Sequence, residues 1–436
     1  MDRSRGEVNG GFVPSGLVAN AERASGTALE ACIDTAGAPF FYWESPSGLR
    51  FACGESAHTV ESFGTTRVSA FASALSRLWQ NLQYDGPAVA RPRVVVGRAF
   101  GPGAIDDRWE GFPAAWGMIP AVTVSETDGE TWRTTVDTPN PRARSQGVSA
   151  EPIEEQSTDP IAILENVPQP DGSSWRQSAR AIRRRIGDGL VEKVVLAHAR
   201  DVRFNRPLDR RTAIERVRAE NPESYLVYVE PEPGTCFIAA TPERLIEKRG
   251  TSIRTEALAG STQRGRDCTE DRLFADALDD SRKDGQEHSL VVTAIREALE
   301  SMGAEVEVGA RTVTKFERVQ HLKTPIRAAC TEERSVLSLV DRLHPTPAVG
   351  GTPTASALDA IDRAEPFGRG WYAAPTGWVD ANGDGTFAVG IRSGVFTGTT
   401  GRIFAGAGLV AESDVEDEWA ECQLKYRPML DAFERP

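Results

Sequence analysis

The chain is poor in lysine and lacks any long apolar segment. Of its 436 residues 50 are basic, and six of these are lysine, so the other 44 are arginine. No apolar run approaches the roughly 18 residues that a membrane-spanning helix requires, and the first residues lack the apolar segment of a secretion signal. Since hydrophobic residues still make up 40% of the chain, we expect a globular, soluble, cytoplasmic protein.

Cysteine spacing and net charge exclude further classes of site and partner. The six cysteines are scattered and none belongs to a CxxC pair, so neither a disulfide scaffold nor a zinc site is indicated. The 63 acidic residues give a formal net charge of -13, which repels nucleic acids and anionic membranes. We therefore expect neither as a partner, and an anionic substrate would need local positive groups or a metal to hold it.

The order of apolar patterns favours an α+β fold. Short apolar segments bounded by turn residues predict strands at 38–43, 93–96, 191–199, 225–229, 236–240, 377–379, 386–391 and 402–409. Helical spacing predicts helices at 68–82, 175–186, 271–280, 286–301 and 415–433. The polar segment 137–174 predicts a long surface connection. Because the helices come in blocks, antiparallel sheet is favoured over a regular βαβ repeat.

A lysine in an apolar strand is the first candidate catalytic group. Lys193 shares one face of its predicted strand with Val191, Val195 and Ala197, because side chains alternate along a strand. An amine that loses its hydration there can serve as a general base. The alternative is a lysine whose ammonium group reaches the strand edge and solvent, and local sequence leaves both readings open.

Two pairs of carboxylates have the spacing of a helical face. Asp284 and Glu287 are three residues apart, as are Glu418 and Glu421 in the last predicted helix. Residues at this spacing lie on the same side of a helix, so two facing helices would offer hard oxygen ligands of the kind that Mg²⁺ accepts. Lys425 lies four residues after Glu421, on the same face. The alternative is that these acids are simply solvated.

Glycine-dense segments and single polar groups complete the candidates. Segments 257–262 and 404–408 would let backbone N–H groups approach an anion, but neither fits a dinucleotide-binding or P-loop pattern. Arg392 ends an apolar strand, where it could hold a carboxylate at two points or form a structural ion pair. Glu243 follows an apolar strand and could have a raised pKa. His321 and His344 are more often structural than catalytic.

In their order and spacing these residues resemble the chorismate-utilising enzymes, and most closely the isochorismate synthases. The resemblance covers residues from about 175 to the C-terminus. It rests on Thr241-Pro242-Glu243, on Glu287-His288 and on the segments 193–197, 258–261, 344–348, 387–393, 404–408 and 418–421. It implies an α+β fold of two stacked antiparallel sheets with helices outside. We expect an N-terminal α+β lobe and polar linker at 1–165 and a chorismate-binding catalytic region at 166–436.

The resemblance also implies the roles of the site residues. Lys193 corresponds to the base that activates water for attack at C2 of chorismate, and Glu243 to the acid that protonates the departing C4 hydroxyl. Mg²⁺ would hold the ring carboxylate, with Glu287 and Glu421 as direct ligands and Asp284 and Glu418 as outer, water-bridged ones. The substrate-binding set would be Gly260, Ser261, His321, Ala348, Arg392, Gly406 and Lys425.

Three positions bear on which reaction is catalysed. Ammonia-using relatives lack a lysine at the position of Lys193, and aminodeoxychorismate synthases typically have a lysine at the position of Ala259. Salicylate synthases and ammonia-using members tend to have threonine where this chain has Ala348. Conversion of chorismate to isochorismate is therefore favoured, feeding menaquinone or siderophore biosynthesis, with no obligatory glutaminase subunit. The alternatives are a salicylate synthase, an amidotransferase-linked anthranilate or aminodeoxychorismate synthase component, and a non-catalytic binding protein.

Overall fold

Antiparallel strands dominate the computed structural model, which describes residues 8–9, 16–62, 68–101, 106–137, 160–330, 332 and 334–434. Within these ranges the strands are β1 (Val8–Asn9), β2 (Leu17–Arg23), β3 (Phe40–Glu44), β4 (Arg50–Ser62), β5 (Leu82–Tyr84), β6 (Arg93–Arg98), β7 (Ala115–Thr127), β8 (Glu130–Asp137), β9 (Ile163–Gln169), β10 (Lys193–Phe204), β11 (Tyr225–Glu232), β12 (Thr235–Thr241), β13 (Arg244–Arg249), β14 (Ser252–Gln263), β15 (Ala304–Val308), β16 (Thr312–Lys315), β17 (Val319–Cys330), β18 (Gly351–Thr352), β19 (Pro375–Asp380), β20 (Gly385–Val389), β21 (Ser393–Thr397) and β22 (Thr400–Leu409). The α-helices are α1 (Ala28–Thr35), α2 (Val68–Gln80), α3 (Gly172–Gly187), α4 (Arg210–Glu220), α5 (Cys268–Asp280), α6 (Arg282–Glu300), α7 (Val336–Leu343), α8 (Thr354–Ala364) and α9 (Val415–Glu434).

The strands form one hydrogen-bonded network that is arranged in two layers. In the first layer the strand order is β9–β10–β22–β21–β12–β11–β3–β4–β7. In the second layer it is β6–β19–β20–β13–β14–β17. The two layers are joined because β6 also pairs with β7. Of the described pairings, only β2 with β5 is parallel. Aromatic side chains meet between the layers, as Phe51 does with Trp378 at a centroid distance of 6.5 Å. The predicted α+β class with antiparallel sheet is confirmed.

Two helices on the outside of the sheets carry the acidic residues toward the interior. Helix α6 begins at Arg282 and is capped by Ser281, whose hydroxyl accepts a hydrogen bond from the Asp284 N–H at 3.2 Å, which satisfies one of the free donors of the first turn. Its buried residues recur every three or four positions and face β14. Helix α9 packs against β22. Glu287 on α6 and Glu418 on α9 are both buried, so the two helices present carboxylates to one region.

The predicted polar connection is wrong at its C-terminal end. Residues 138–159 lie outside the described residues, but β9 pairs with β10 from Ala199 to Phe204 and α3 begins at Gly172. The polar side chains of β9 misled the prediction, because an edge strand that is half exposed needs no continuous apolar pattern. The expected boundary at residue 165 falls inside β9. Strands from before it pair with later ones, β3 with β11 and β6 with β19.

None of the helices in the described ranges combines the length and the apolar character needed to cross a membrane.

Candidate active site

A cavity between the two layers contains most of the predicted site residues. Of these, the wall includes Glu243, Gly260, Ser261, Glu287, His321, Ala348, Arg392, Gly406, Glu421 and Lys425. Apolar and small residues form the rest of the wall, namely Val195, Pro242, Leu258, Ala259, Val349, Tyr372, Ile391, Phe404, Ala405 and Gly408. Strands from both layers, both acidic helices and the loop after α7 therefore meet at this one cavity.

Lys193 lies immediately behind this wall. It is the first residue of β10, its side chain has 0% exposure, and its Nζ atom is 2.9 Å from Glu287 Oε1. On the neighbouring strand, a Cβ atom at Gly408 would lie 3.0 Å from Lys193 Cε and 2.4 Å from Glu287 Oε1. Gly408 therefore leaves the space that the ion pair occupies. The alternative of an ammonium group that reaches solvent is wrong, because the amine is enclosed next to the acidic residues.

Glu243 is a buried carboxyl in the same cavity. Its backbone N–H donates to Thr241 Oγ1 at 3.1 Å and its carbonyl accepts from the Val389 N–H at 3.0 Å, which fixes the turn after β12. Burial raises the pKa of Glu243 from its usual 4.5 to about 7, although the positive charge of Lys193 opposes this rise. A large fraction of this carboxyl is therefore protonated near neutral pH, as an acid catalyst requires.

Four carboxylates converge at one end of the cavity. Glu287 and Glu421 line the wall, while Asp284 and Glu418 lie just behind it. A Cβ atom at Gly260, where φ is +79°, would be 3.0 Å from the Cβ of Asp284, so the glycine allows the strand to approach the helix closely. The repulsion of Glu287 and Glu421 adds to burial in raising the pKa of Asp284. The helical spacing seen in the sequence thus produces a concentrated negative site.

Each glutamate of this group has a lysine as its partner. The three ion pairs are Lys193 with Glu287 at 2.9 Å, Lys425 with Glu421 at 2.5 Å and Lys283 with Glu418 at 2.5 Å. Lys425 lowers the pKa of Glu421, whereas burial and the adjacent Glu421 raise the pKa of Glu418 to about 7. Half of the lysines in this lysine-poor chain therefore neutralise one acidic cluster.

The donor set suits a hard divalent cation. In the part of the chain that the structure describes, no three histidine, cysteine, aspartate or glutamate side chains are grouped closely enough to hold a metal ion, and each of the three glutamates is paired with a lysine. The ligand chemistry nevertheless fits, since Glu287 and Glu421 offer carboxylate oxygens from two helices into a cavity with room for water and a substrate oxygen.

Arg392 gives another part of the cavity wall a positive charge. Its guanidinium donates to the Lys425 carbonyl at 3.2 Å and lies 3.4 Å from His321 Nε2. Within the described residues no carboxylate is at ion-pair distance, so the expected alternative of a structural ion pair is wrong. Burial lowers the pKa of Arg392 to about 10, which leaves it charged at neutral pH. An arginine that is 6% exposed and borders a cavity suits a ligand carboxylate.

His321 and Lys425 complete this end of the cavity. His321 Nδ1 is 2.8 Å from Ser261 Oγ, and burial together with Arg392 lowers its pKa to about 3, so the ring is neutral. The Lys425 ammonium donates to the Gly406 carbonyl at 3.0 Å. A Cβ atom at Gly406 would lie 2.9 Å from the hydroxyl of Tyr372, so glycine is needed for the cavity to stay open.

Sequence reasoning missed the aromatic part of the wall. The Tyr372 ring stacks on Phe404 with centroids 5.0 Å apart, and both residues line the cavity. Tyr372 lies in a short irregular segment between α8 and β19, where neither the helical nor the strand period applies. The only local signal is the pair of glycines at 368 and 370, which marks close backbone packing. His344, in contrast, is buried away from the cavity wall, and Phe100 provides its carbonyl partner at 3.2 Å.

The cavity between the two layers combines a buried carboxylic acid and an arginine with a buried amine and a cluster of carboxylates close by. These groups define an enzyme that acts on a small anionic substrate. The family model described as chorismate binding enzyme matches residues 19–434. A relative from Pseudomonas aeruginosa, the salicylate biosynthesis isochorismate synthase, is 35% identical over 412 residues, which cover 91% of this chain and 85% of that protein.

Two solved structures share the whole architecture. The Bacillus anthracis protein DhbC, described as a 2,3-dihydroxybenzoate-specific isochorismate synthase, matches with a TM-score of 0.76 and 28% identity over 93% of this chain and 99% of its own. The menaquinone-specific isochorismate synthase MenF from Escherichia coli matches with a TM-score of 0.78 and 25% identity over 97% and 96%. The chain therefore belongs to the chorismate-binding enzyme family, and within it to the isochorismate synthases, which are isomerases.

Proposed function

We propose that the chain converts chorismate to isochorismate by adding water at C2 and releasing the C4 hydroxyl, with Mg²⁺ as the metal. One observation carries this assignment: a buried glutamic acid with a pKa of about 7 lines the cavity, and a fully buried lysine lies immediately behind its wall, paired with the lining residue Glu287. A binding protein needs neither group. Acid and base at one cavity are what a reaction requires when it removes a proton from one oxygen and gives a proton to another.

The reaction balances in protons and electrons without an external oxidant or reductant. In its neutral amine form, Lys193 accepts a proton from the water whose oxygen forms the new bond at C2, and proton exchange with solvent after turnover restores Lys193 and Glu243. The ring double bonds shift, and the C4–O bond breaks as Glu243 donates its proton to the departing oxygen, which leaves as water. One water enters and one leaves, so the product is an isomer of the substrate.

The charged groups of the cavity hold the two carboxylates of the substrate. Arg392 and Lys425 would bind the enolpyruvyl carboxylate, near the backbone of Gly260 and Gly406. His321 and Ser261 form the wall beside it, and the neutral histidine adds no competing charge. Together these groups orient the ring between acid and base, and orientation of this kind lowers the barrier for reaction of bound groups.

Glu287 and Glu421 would hold Mg²⁺, with Asp284 and Glu418 as outer carboxylates. A bound Mg²⁺ would supply positive charge for the ring carboxylate. The chain's own contribution at this end is the close approach of strands β14 and β22 to helix α6, which the glycines at 260 and 408 permit. Lys193 must break its ion pair with Glu287 to reach the attacking water. A cation bound by Glu287 would then neutralise the carboxylate in place of the lysine.

Small side chains in the wall support water as the nucleophile and isochorismate as the product. Ala259 and Ala348 both line the cavity, so no threonine hydroxyl is available at position 348 and no lysine at position 259. We infer that the reaction stops before elimination of pyruvate and needs no glutaminase subunit. The product would feed menaquinone or siderophore biosynthesis, and the names of the relatives, which include salicylate and menaquinone biosynthesis, are compatible with both.

The test is turnover by the purified chain with chorismate and Mg²⁺ in H₂¹⁸O, without ammonia or glutamine. We expect isochorismate with ¹⁸O at C2. Salicylate fluorescence with release of pyruvate would support the salicylate synthase alternative instead, and a requirement for an amine would support an amidotransferase-linked synthase.

Lys193→Ala tests the base directly. Turnover should fall by at least about 10²- to 10⁴-fold, the contribution of a general base, while Mg²⁺-dependent binding of chorismate is retained. Lys248→Ala is the matched control, because Lys248 is a buried lysine paired with Asp384 at 2.7 Å and is not part of the cavity. It should keep wild-type kcat, and an equally active Lys193→Ala would show that the base lies elsewhere.

A further inference from the structure

The strand that carries Lys193 has a gap along one of its edges. Residues 193–194 of β10 pair with β18, and residues 199–204 pair with β9. Between these two partners, no described strand pairs with that edge. Backbone N–H and C=O groups in the gap are buried, and such groups need hydrogen-bond partners. The gap begins two residues after Lys193, so whatever fills it also fixes the backbone next to the amine.

A buried ion pair between Arg369 and Glu365 fills this gap. Arg369 NH2 donates to the Val195 carbonyl at 2.7 Å, and the Ala197 N–H donates to Glu365 Oε1 at 2.7 Å. The two side chains join each other through Arg369 Nε and Glu365 Oε2 at 2.8 Å and through a second contact at 2.5 Å. The Gly350 carbonyl accepts from the Val195 N–H at 2.8 Å. Side chains thus replace the missing strand.

The same arginine also holds the loop before β18, which forms another part of the cavity wall. Arg369 NH1 donates to the Val349 carbonyl at 2.8 Å, and Val349 with its neighbour Ala348 lines the active site. The guanidinium lies over the Phe100 ring with 4.3 Å from Cζ to the centroid, and the residue is 5% exposed. A planar fork that donates hydrogen bonds from all three of its nitrogens resists displacement, and a lysine could not reproduce this geometry.

We propose that Arg369 and Glu365 form a positioning pair that sets the distance between Lys193 on β10 and the loop that contains Ala348 and Val349. The assignment rests on the proposed role of Lys193 as base. Neither side chain contacts the metal-binding carboxylates in the described structure. Their effect on the reaction is exerted through two backbone segments, the start of β10 and the loop that contains Ala348. Displacement of reacting groups by about 1 Å can cost on the order of 100-fold in rate.

The variant Arg369→Lys keeps the charge and removes the fork. We expect kcat to fall by about 10- to 100-fold, while KM for chorismate stays within about threefold, because the residues that hold the substrate carboxylates are untouched. Rates are expressed per folded molecule well below the melting temperature. Arg363→Lys is the matched control, since Arg363 forms an exposed ion pair with Asp359 on α8, and it should leave both constants unchanged.

A second variant covers the case in which Arg369→Lys does not fold. Glu365→Gln keeps an acceptor oxygen for the Ala197 N–H but loses the charge that holds Arg369. We expect a folded enzyme with kcat reduced by about three- to tenfold and with faster hydrogen exchange in the peptide that contains residues 193–197. Unchanged exchange and unchanged kcat would overturn the proposal.

The positioning role and the proposed function can fail separately. Suppose that Lys193→Ala has no turnover. If Arg369→Lys then has normal kcat, or changes only KM or only stability, the positioning pair alone is refuted. Normal turnover of Lys193→Ala refutes the base and, with it, the role given to Arg369. Loss of turnover in Lys193→Ala together with a selective loss of kcat in Arg369→Lys supports both.

Discussion

Replacement of Glu243 by glutamine tests two properties of this residue, its role as an acid in the reaction and the destabilisation of the fold by its buried charge. The amide has the same shape and no acidic proton. Because general acid catalysis contributes about 10²- to 10⁴-fold, we expect kcat of Glu243→Gln to fall by that factor. Wild-type kcat/KM should decline as pH rises through about 7, where the carboxyl of the free enzyme loses its proton, and the residual activity of the variant should lack this decline.

The same substitution should stabilise the protein at alkaline pH. The pKa of Glu243 is about 7 in the folded chain and 4.5 ordinarily, so the favourable contribution of the protonated form is complete below pH 4.5 and is lost as pH rises through 7. At about 1.4 kcal/mol for each pH unit, the loss is about 3 kcal/mol above pH 8. For a chain of this length that corresponds to about 3 °C in melting temperature.

The assay is thermal unfolding of both proteins from pH 5 to pH 9, without metal. The variant should match the wild type at pH 5 and melt about 3 °C higher at pH 9. Glu247→Gln is the control, since Glu247 forms an ion pair with Arg244 at 3.2 Å and lies outside the cavity. It should show no alkaline stabilisation. Activity within twofold of wild type, or a stability difference independent of pH, would refute the reasoning.

Three further substitutions test other parts of the site. Glu421→Gln should weaken the binding of Mg²⁺, raising its dissociation constant at least about tenfold in a calorimetric titration with chorismate present. A dissociation constant equal to that of the wild type would remove this residue from the ligand set. Gly408→Ala would place a Cβ atom 2.4 Å from Glu287 Oε1, so we expect kcat to fall at least tenfold with the fold retained by circular dichroism, and normal kcat would show that the Lys193 ion pair is irrelevant. Tyr372→Phe keeps the ring stacking and loses the hydroxyl. KM for chorismate should rise severalfold with little change in melting temperature, whereas an unchanged KM would assign the hydroxyl to the fold.

Local sequence patterns predicted the elements that carry the site better than the contacts within it. Helix α9 was expected to within one residue of its ends, whereas α6 begins four residues before its predicted start and β10 extends five residues beyond its predicted end. All three were recognised because burial on one face imposes a regular apolar period. The irregular segment with Tyr372 and the half-exposed strand β9 impose no such period. The spacing of Asp284 with Glu287, and that of Glu418 with Glu421, indicated a shared helical face within each pair, but the lysine partners became visible only in three dimensions.

The roles of single residues depended on the family resemblance rather than on local chemistry. Taken alone, Lys193 could equally have been a lysine at a strand edge, since burial is decided by which strands and helices cover it. Its cover comes from Glu287, 94 positions away in the chain, and from the bare backbone at Gly408. A short window of sequence cannot show contacts between residues so far apart in the chain. For the same reason the sequence did not indicate that Arg369 and Glu365 hold β10.

The interleaving of early and late strands makes the later part of this chain, which carries the cavity, dependent on the first part for its fold. Without β3 and β6, the strands β11 and β19 would each present a row of unsatisfied amide and carbonyl groups, and such open edges recruit other chains and promote aggregation. A fragment starting at residue 166 should therefore be insoluble by itself. Co-expression with residues 1–165 should restore it, because the two pieces complete each other's ladders and could assemble as a split enzyme.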